Sequence, residues 1–306
     1  MLNNKDLKTP IFKIDDHLWI KREDFIPFSF GGNKARKAYY FLKEYEKGNY
    51  NCIVTYGSSS SNHCRIIANI AASKRIPCYI ISPLESSETT FNSRLVDFFG
   101  VSVFKVHIND VSRFIEELMS RLKSEGKNPF FIQGGGHGNI GTQAYVDCYK
   151  EIVGWEKENN IIFDYIFLAS GTGTTQAGLV CGNIMNKDNH TIVGISIARQ
   201  LPRGRNVILD SIRDYLGYSS DLIDKQTIFI DDYLSGGYGK HDEKIDNIIK
   251  EVMRNYGIPL DTTYTGKAFY GMVSYLKENE ISGKNILFLH TGGTPLFFSN
   301  NSWEAK

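Results

Sequence analysis

Short apolar runs alternate with amphipathic segments along almost the whole chain. Apolar residues that recur every three or four positions predict helices, and short apolar runs bounded by turn residues predict strands. Strands are predicted at 52–56, 78–81, 101–106, 129–132, 162–168, 192–197, 227–230 and 285–290. Helices are predicted near 35–45, 66–71, 91–99, 111–122, 139–153, 174–186, 204–216, 241–256 and 266–279. This alternation is typical of βαβ units, so the sequence predicts an α/β fold with mostly parallel sheets.

The strands fall into two groups, which are separated by the helix predicted near residue 145. We therefore predict two three-layer α/β domains. Residues 1–47 and 151–306 form the large domain, and residues 48–150 form the small one. Small ligands bind at the carboxyl ends of strands in open parallel sheets, so the active site is expected in the cleft between the domains.

Composition and charge argue against several classes of protein. The 306 residues carry a net charge of +1, which gives no support for a nucleic-acid or membrane partner. No stretch reaches the ~18 apolar residues that a membrane span requires. The amino terminus is polar rather than signal-like, so a cytoplasmic location is expected. The five cysteines show no CxxC or histidine pairing, so we predict reduced core residues and no metal.

The first candidate for chemistry is Lys34, in the segment Gly-Gly-Asn-Lys at residues 31–34. Burial and a helix N-terminus both oppose the charged form of an ammonium group. The neutral amine is the form that makes a Schiff base with a carbonyl. The alternative is that Lys34 is a solvated side chain among the 35 lysines and arginines of the chain.

A second candidate is the turn Ser-Gly-Thr-Gly-Thr-Thr at residues 170–175, between a predicted strand and a predicted helix. Converging backbone amides, threonine hydroxyls and the positive end of a helix dipole hold a phosphate group. The turn lacks the Walker ending and the dinucleotide glycine spacing, so a phosphate monoester fits better than a nucleotide. Tight turns also use glycine and threonine for conformation alone.

Three further polar turns follow predicted strands. The serine-rich turn 57–63 is either a helix cap or a contact for a ring hydroxyl and a carboxylate. The turn 134–139 permits close approach of a ligand and contains His137, which is either structural or able to titrate near neutral pH. The last turn, 290–295, is grouped with Tyr238 and Tyr264, which either pack or act on a cofactor as acids or bases.

Taken together, these stretches resemble the pyridoxal-phosphate enzymes of fold type II, the tryptophan synthase β-like group. Within that group they are similar to the branch that holds D-cysteine desulfhydrase and 1-aminocyclopropane-1-carboxylate deaminase. The matching stretches run in the family's order at 20–24, 31–34, 61–63, 171–174, 231–233, 237–239, 264–267 and 290–293. The resemblance implies pyridoxal 5′-phosphate as cofactor and a small amino acid as substrate.

The resemblance also implies a role for each matching residue. Lys34 is the covalent anchor of the cofactor and the acid/base at Cα, and the other catalytic residues are Ser61, Tyr238 and Tyr264. Asn62 holds the pyridine 3-hydroxyl, and the phosphate is held by Gly171, Thr172, Gly173, Thr174 and Thr175. Thr265 and Thr291 complete the cofactor contacts. The substrate contacts come from Ser60, Ser61, His63, His137 and Tyr238.

Thr265 and Thr291 stand where the cyclopropane-opening enzymes carry a glutamate and a leucine, and they match the desulfhydrases. A hydroxyl does not keep the pyridine nitrogen protonated, which favours β-elimination. We therefore predict a homodimeric lyase that converts D-cysteine to pyruvate, ammonia and hydrogen sulfide. The alternatives are 1-aminocyclopropane-1-carboxylate deaminase, L-cysteate sulfo-lyase, a β-replacement synthase, or a non-catalytic protein that binds a phosphate ligand.

The chain departs from the desulfhydrase pattern at two places. Ser60 stands where these enzymes usually carry a glutamine, and His137 with Gly138 stands where they carry an asparagine. Both changes fall where the substrate is expected. His137 is predicted either to pair with an anionic leaving group or to fill space.

Overall fold

The computed structural model describes residues 3–86 and 88–299. Its strands form two sheets. The larger sheet contains β1 (Ile11–Asp15), β2 (Leu18–Arg22), β7 (Tyr165–Ser170), β8 (Thr191–Ser196), β9 (Ile228–Ile230) and β10 (Ile286–His290), in the order β1-β2-β10-β7-β8-β9. The smaller sheet contains β3 (Cys52–Tyr56), β4 (Cys78–Pro83), β5 (Ser102–Val106) and β6 (Pro129–Ile132), in the order β5-β4-β3-β6.

All described strand pairs are parallel except the hairpin of β1 and β2. The predicted α/β fold with mostly parallel sheets is confirmed. The helices are α1 (Asn33–Lys47), α2 (Asn62–Lys74), α3 (Phe91–Phe98), α4 (Val111–Ser124), α5 (Asn139–Asn159), α6 (Thr174–Asn186), α7 (Arg203–Leu216), α8 (Asp221–Gln226), α9 (Glu243–Tyr256), α10 (Thr265–Glu278) and α11 (Thr294–Phe297). Among the described residues, no helix has both the length and the apolar character needed to cross a membrane.

Alternation along the strands buries both faces of each sheet. In β7, Ile166 and Leu168 pack with α5, α6 and α7, whereas Phe167 and Ala169 point to the opposite face and pack with α9 and α10. In the smaller sheet, Ile53 packs with α1 and α2, and its neighbours Cys52 and Val54 pack with α4. Each sheet is therefore the middle of three layers, as predicted.

Two helices bear on the predicted domain boundaries. Residue 150 lies inside α5, whose buried side chains from Ala144 to Ile152 pack in the same cluster as the larger sheet. Conversely, Ala35, Ala38 and Phe41 of α1 pack with the smaller sheet. Because α1 and α5 also contact each other, we propose that these two helices connect the domains. The division after residues 47 and 150 stays a prediction.

A buried network of charges joins β2, α1 and α5. Arg36 donates to Glu23 at 2.6 Å and to Glu151 at 2.7 Å, and Lys21 donates to Glu151 at 3.1 Å. Burial by itself would raise the pKa of Glu23, but Arg36 and Lys21 lower it to about 2. Oxygen atoms of Glu23 and Glu151 also lie near the Cys148 sulfur, within 4.8 Å of one another. Since both carboxylates already accept from Arg36, we assign this cluster to ion pairing.

Candidate active site

A cavity of about 680 Å³ lies where the carboxyl ends of both sheets meet. The turns after β3 and β6 line one side, and the turns after β7, β8 and β10 line the other. Strand ends of parallel sheets are where ligand sites form, because the backbone leaves the sheet there and polar groups converge. The predicted position of the site between the two groups of strands agrees with this cavity.

Lys34 reaches the cavity from the first turn of α1. The helix begins after Gly31 and Gly32, both in the left-handed region with φ of +59° and +92°. The amide of Asn33 donates to the Thr291 carbonyl at 2.8 Å, which ties the start of the helix to the turn after β10. The Lys34 amine donates to the Gly135 carbonyl at 2.9 Å. Burial lowers the pKa of Lys34 to about 8, so roughly a tenth of the amine is neutral at pH 7.

The glycine and threonine turn lies opposite Lys34. Gly171, Thr172, Gly173 and Thr175 line the cavity, and Gly173 precedes α6 with a φ of +86°. The Thr175 hydroxyl accepts from the Asn33 side chain at 3.0 Å, which joins this turn to α1. The amino end of α6 therefore faces the cavity with its free backbone amides, the arrangement that holds phosphate groups.

Three buried polar groups near this turn have no hydrogen-bond partner among the described residues, the Ser170 hydroxyl, the Gln176 side-chain oxygen and the Lys37 amine. Lys37 is 1% exposed, and burial and the charge of Lys34 lower its pKa well below the ordinary value. Its side chain lies beside Gly136, and its charge affects His137, which bonds to the turn. Buried polar groups are almost always paired, so the unpaired Ser170 hydroxyl, which lines the cavity, fits a phosphate oxygen as its partner, whereas Lys37 lies outside the lining.

The serine-rich turn places three predicted residues on the wall, Ser61, Asn62 and His63. The Ser61 hydroxyl caps α2 by accepting from the Cys64 amide at 3.2 Å. The Asn62 side-chain oxygen accepts from Asn92 at 2.9 Å, which leaves the Asn62 amide nitrogen available as a donor. A donor is what a ring oxygen of a bound cofactor requires.

His63 is held in one neutral form. The Thr55 hydroxyl gives its hydrogen to the Ile132 carbonyl at 2.7 Å, so His63 must donate from Nε2 to that hydroxyl at 2.8 Å. Burial and the charges of Lys34 and Lys37 lower the pKa of His63 well below its ordinary value. His63 is therefore a neutral group of the cavity wall, with Nδ1 as an acceptor.

Tyr238 and Tyr264 lie together at the cavity, with their hydroxyl oxygens 2.6 Å apart. The Tyr238 hydroxyl is also 3.0 Å from Ser58 and 3.3 Å from Ser60, across the cleft between the sheets. Burial and the neighbouring Tyr238 raise the pKa of Tyr264 well above 10, so Tyr264 holds its proton at neutral pH. The pair can therefore offer a hydrogen bond from a hydroxyl that keeps its proton.

Four predicted site residues, Ser60, His137, Thr174 and Thr265, do not line the cavity. His137 Nδ1 lies 2.9 Å from the Thr174 hydroxyl, behind the turn. The Thr265 hydroxyl donates to the Asp261 carboxylate at 2.8 Å and accepts from the Asp261 amide at 2.8 Å, so its hydrogen bonds are used at the start of α10. Thr265 is therefore not placed to contact a cofactor in the cavity. Thr291, by contrast, lines the cavity wall.

Several wall residues are not among those predicted from the sequence, above all Asn33, Arg199 and Arg203. Asn33 was passed over in favour of its neighbour, although it bonds to Thr175. Arg199 follows the carboxyl end of β8 and donates to the Gly171 carbonyl at 3.0 Å. The rule that sites form at strand ends would have drawn attention to both arginines.

Comparison with known proteins agrees with this geometry. The model of the family described as "Pyridoxal-phosphate dependent enzyme" matches residues 5–292. A D-cysteine desulfhydrase of Yersinia pestis (strain Pestoides F) is 31% identical over 293 residues, which cover 92% of this chain and 88% of the relative. A putative 1-aminocyclopropane-1-carboxylate deaminase of Pyrococcus horikoshii is 33% identical over 289 residues, which cover 92% of this chain and 86% of the relative. The crystal structure of an ACC deaminase homologue superposes with a TM-score of 0.83 at 29% identity, covering 94% of this chain and 90% of the other.

The fold and the site define an α/β protein in which a buried lysine and a glycine and threonine turn at the amino end of a helix line the same cavity. The chain belongs to the pyridoxal-phosphate-dependent enzyme family. Its cofactor is pyridoxal 5′-phosphate, and at the level of reaction class it is a lyase. The predicted family, fold and cofactor are thus confirmed, whereas the roles of individual residues stay predictions.

Proposed function

We propose that the protein carries out α,β-elimination on β-substituted alanines and converts D-cysteine to pyruvate, ammonia and hydrogen sulfide. The observation that carries the proposal is the composition of the cavity wall. Among the described residues that line it, none is an aspartate or a glutamate, and Thr291 stands beside Gly292 at the end of β10. Pyridoxal phosphate, when bound, withdraws electrons from Cα of the amino acid. Without a carboxylate partner this withdrawal is milder, which favours reactions whose leaving group removes the charge.

Each wall residue has a definite part in this reaction. The neutral amine of Lys34 removes the α-proton, because its lowered pKa of about 8 provides a base near neutral pH. Ser61 and the amino end of α2 bind the α-carboxylate. The Tyr264 hydroxyl, which holds its proton, donates through Tyr238 toward the departing β-substituent. The phosphate is bound by the turn 171–175 and the amino end of α6.

The relatives support elimination, but their names point to two different substrates. One is named for D-cysteine and another, in putative form, for 1-aminocyclopropane-1-carboxylate. Ring opening of the cyclopropane substrate is therefore the second candidate. β-Replacement and binding without catalysis are weaker alternatives. The cytoplasmic location and the homodimer stay predictions.

The test is a product analysis of the cofactor-loaded protein with D-cysteine, L-cysteine and 1-aminocyclopropane-1-carboxylate. We expect sulfide and pyruvate in equal amounts from D-cysteine. The Lys34→Ala variant should lose both the turnover and the visible absorption of covalently bound cofactor. Release of 2-oxobutanoate from the cyclopropane substrate, without sulfide from either cysteine, would refute the proposal in favour of the deaminase.

A further inference from the structure

The cavity wall carries more positive charge than the cofactor and a simple amino acid require. Its described residues include three cationic side chains, Lys34, Arg199 and Arg203, and no acidic one. The chain as a whole is nearly balanced, with 35 lysines and arginines against 34 aspartates and glutamates. The surplus is therefore a property of this wall.

Neither arginine is neutralised by the protein. Within the described part of the chain, the guanidinium of Arg199 makes one hydrogen bond, to the Gly171 carbonyl at 3.0 Å, and that of Arg203 makes no hydrogen bond or ion pair. The two groups are close enough to influence each other, because burial first and the charge of Arg203 second lower the pKa of Arg199. Like charges kept together at a cavity fit an anionic ligand.

The other anionic groups already have partners. Under the proposed function, the phosphate of the cofactor has the amino end of α6 and the turn that contributes Gly171, Thr172, Gly173 and Thr175 to the wall. The α-carboxylate has the serine-rich turn at the amino end of α2 under the proposed function. His137, which the sequence offered for an anionic leaving group, bonds to Thr174 outside the wall. Arg199 and Arg203 are therefore available to bind a further negative charge on the substrate.

We infer that Arg199 and Arg203 bind an oxyanion on the β-substituent, so that the enzyme also cleaves amino acids whose side chain ends in a sulfonate or a phosphate. This inference rests on the proposed elimination. With cysteate, the Cα–H and Cβ–S bonds break, and sulfite leaves with the electron pair of the C–S bond. One water then hydrolyses the aminoacrylate to pyruvate and ammonia. O-Phosphoserine releases phosphate in the same way from its Cβ–O bond.

The test compares the wild-type holoenzyme with Arg203→Gln, Arg203→Lys and Arg254→Gln. Arg254 lies in the last turn of α9 and is not part of the cavity wall, so its substitution controls for the loss of one charge. Substrates are the D- and L-forms of cysteate and O-phosphoserine, with D-cysteine as reference, and pyruvate is measured. Binding is measured separately through the change in visible absorption of the cofactor when each amino acid is added.

We expect pyruvate with sulfite or phosphate in equal amounts. Arg203→Gln should lower kcat/KM for the oxyanion substrates about tenfold more than for D-cysteine, because one charge-assisted contact is lost. Arg203→Lys should retain most of the preference, and Arg254→Gln all of it. Sulfite release versus phosphate release identifies which oxyanion the site prefers.

Other outcomes separate the two proposals. Turnover of D-cysteine with no arginine-dependent preference for oxyanion substrates would overturn the inference alone. An equal loss for all substrates, together with weaker cofactor binding, would also overturn it and assign Arg203 to the cofactor phosphate. If cysteate bound in an arginine-dependent way but no substrate gave pyruvate, the proposed elimination would be refuted. Binding of the oxyanion by the arginines would still be supported.

Discussion

Lys34 combines a fixed position with an unusual proton affinity. Burial lowers its pKa from 10.5 to about 8, so the neutral fraction rises as the pH passes through 8 and changes little above it. We therefore expect the rate of covalent cofactor attachment to cofactor-free protein to rise about tenfold per pH unit up to about pH 8, and then to level off. Stopped-flow absorption measures this rate.

Lys34→Arg is the control, because it keeps a positive charge and cannot form the Schiff base. It should show no attachment phase at any pH. A wild-type rate that keeps rising to a midpoint near pH 10.5 would mean that Lys34 is solvated, as the first sequence interpretation allowed.

At the scale of residues, the sequence predicts Lys34, Ser61 and Asn62, which line the cavity, because each lies in a short motif beside glycine or serine. It could not place Thr265 or His137, since their partners, Asp261 and Thr174, are decided by how α10 and α6 pack. Arg203 lies in none of the short motifs, and only the rule that sites form at strand ends points to it. Its position on the wall depends on the turn between β8 and α7.

At the scale of elements, the start of α1 depends on a close approach of two backbones. A Cβ at Gly32 would lie 2.7 Å from the Thr291 carbonyl oxygen, and its φ of +92° is unfavourable for any other residue. We expect Gly32→Ala to cost more than the ~1–2 kcal/mol of a left-handed alanine, because α1 must also shift. Cofactor affinity should fall with it. Urea unfolding and spectral titration with pyridoxal phosphate measure the two effects.

Gly217 provides the matched control. It ends α7 with a φ of +78°, and an added Cβ would meet no atom within 4 Å. Gly217→Ala should therefore show only the conformational cost and normal cofactor affinity. If both variants bound the cofactor equally well, the contact between Gly32 and Thr291 would not position Lys34.

Most elements were predicted within a few residues, because their apolar periodicity is strong. The hairpin of β1 and β2 was missed because Lys13, Lys21 and Arg22 interrupt its apolar pattern. Lys21 is nonetheless 1% exposed, and it is accommodated by Thr9 and Glu151. The short helices α8 and α11 were also missed, since neither is long enough to show a period.

At the scale of the whole molecule, polar contacts join the two sheets at two places. The Tyr238 hydroxyl, from the loop after β9, reaches Ser58 and Ser60 after β3, across the open side of the cleft. On the other side, the network around Glu23 joins β2 of the larger sheet to α1, which packs on the smaller one. The sequence predicted both sheets and the cleft, but such long-range pairs have no local pattern.

The Glu23 network makes a stability prediction for the whole fold. Arg36 and Glu23 form an ion pair in which both side chains are fully buried. Glu23→Gln removes one of the negative charges that balance the buried guanidinium of Arg36. We expect a loss of about 3–5 kcal/mol in the free energy of unfolding at pH 7. Because the pKa of Glu23 is lowered from 4.5 to about 2, its contribution is complete above pH 4.5 and is lost as the pH falls toward 2.

The ion pair of Glu46 with Lys74 is a control, because its nitrogen–oxygen distance equals that of the Arg36–Glu23 pair. The Glu46 oxygen lies 2.6 Å from Lys74, as the Glu23 oxygen does from Arg36, but the side chains are 40% and 19% exposed. Glu46→Gln should therefore cost less than about 1 kcal/mol. Urea unfolding of both variants and the wild type between pH 7 and pH 3 separates the effects. The difference in the free energy of unfolding between wild type and Glu23→Gln should become smaller below pH 4.5. If both variants lost the same free energy of unfolding at pH 7, burial of the network would not add to the stability of the packing between β2, α1 and α5.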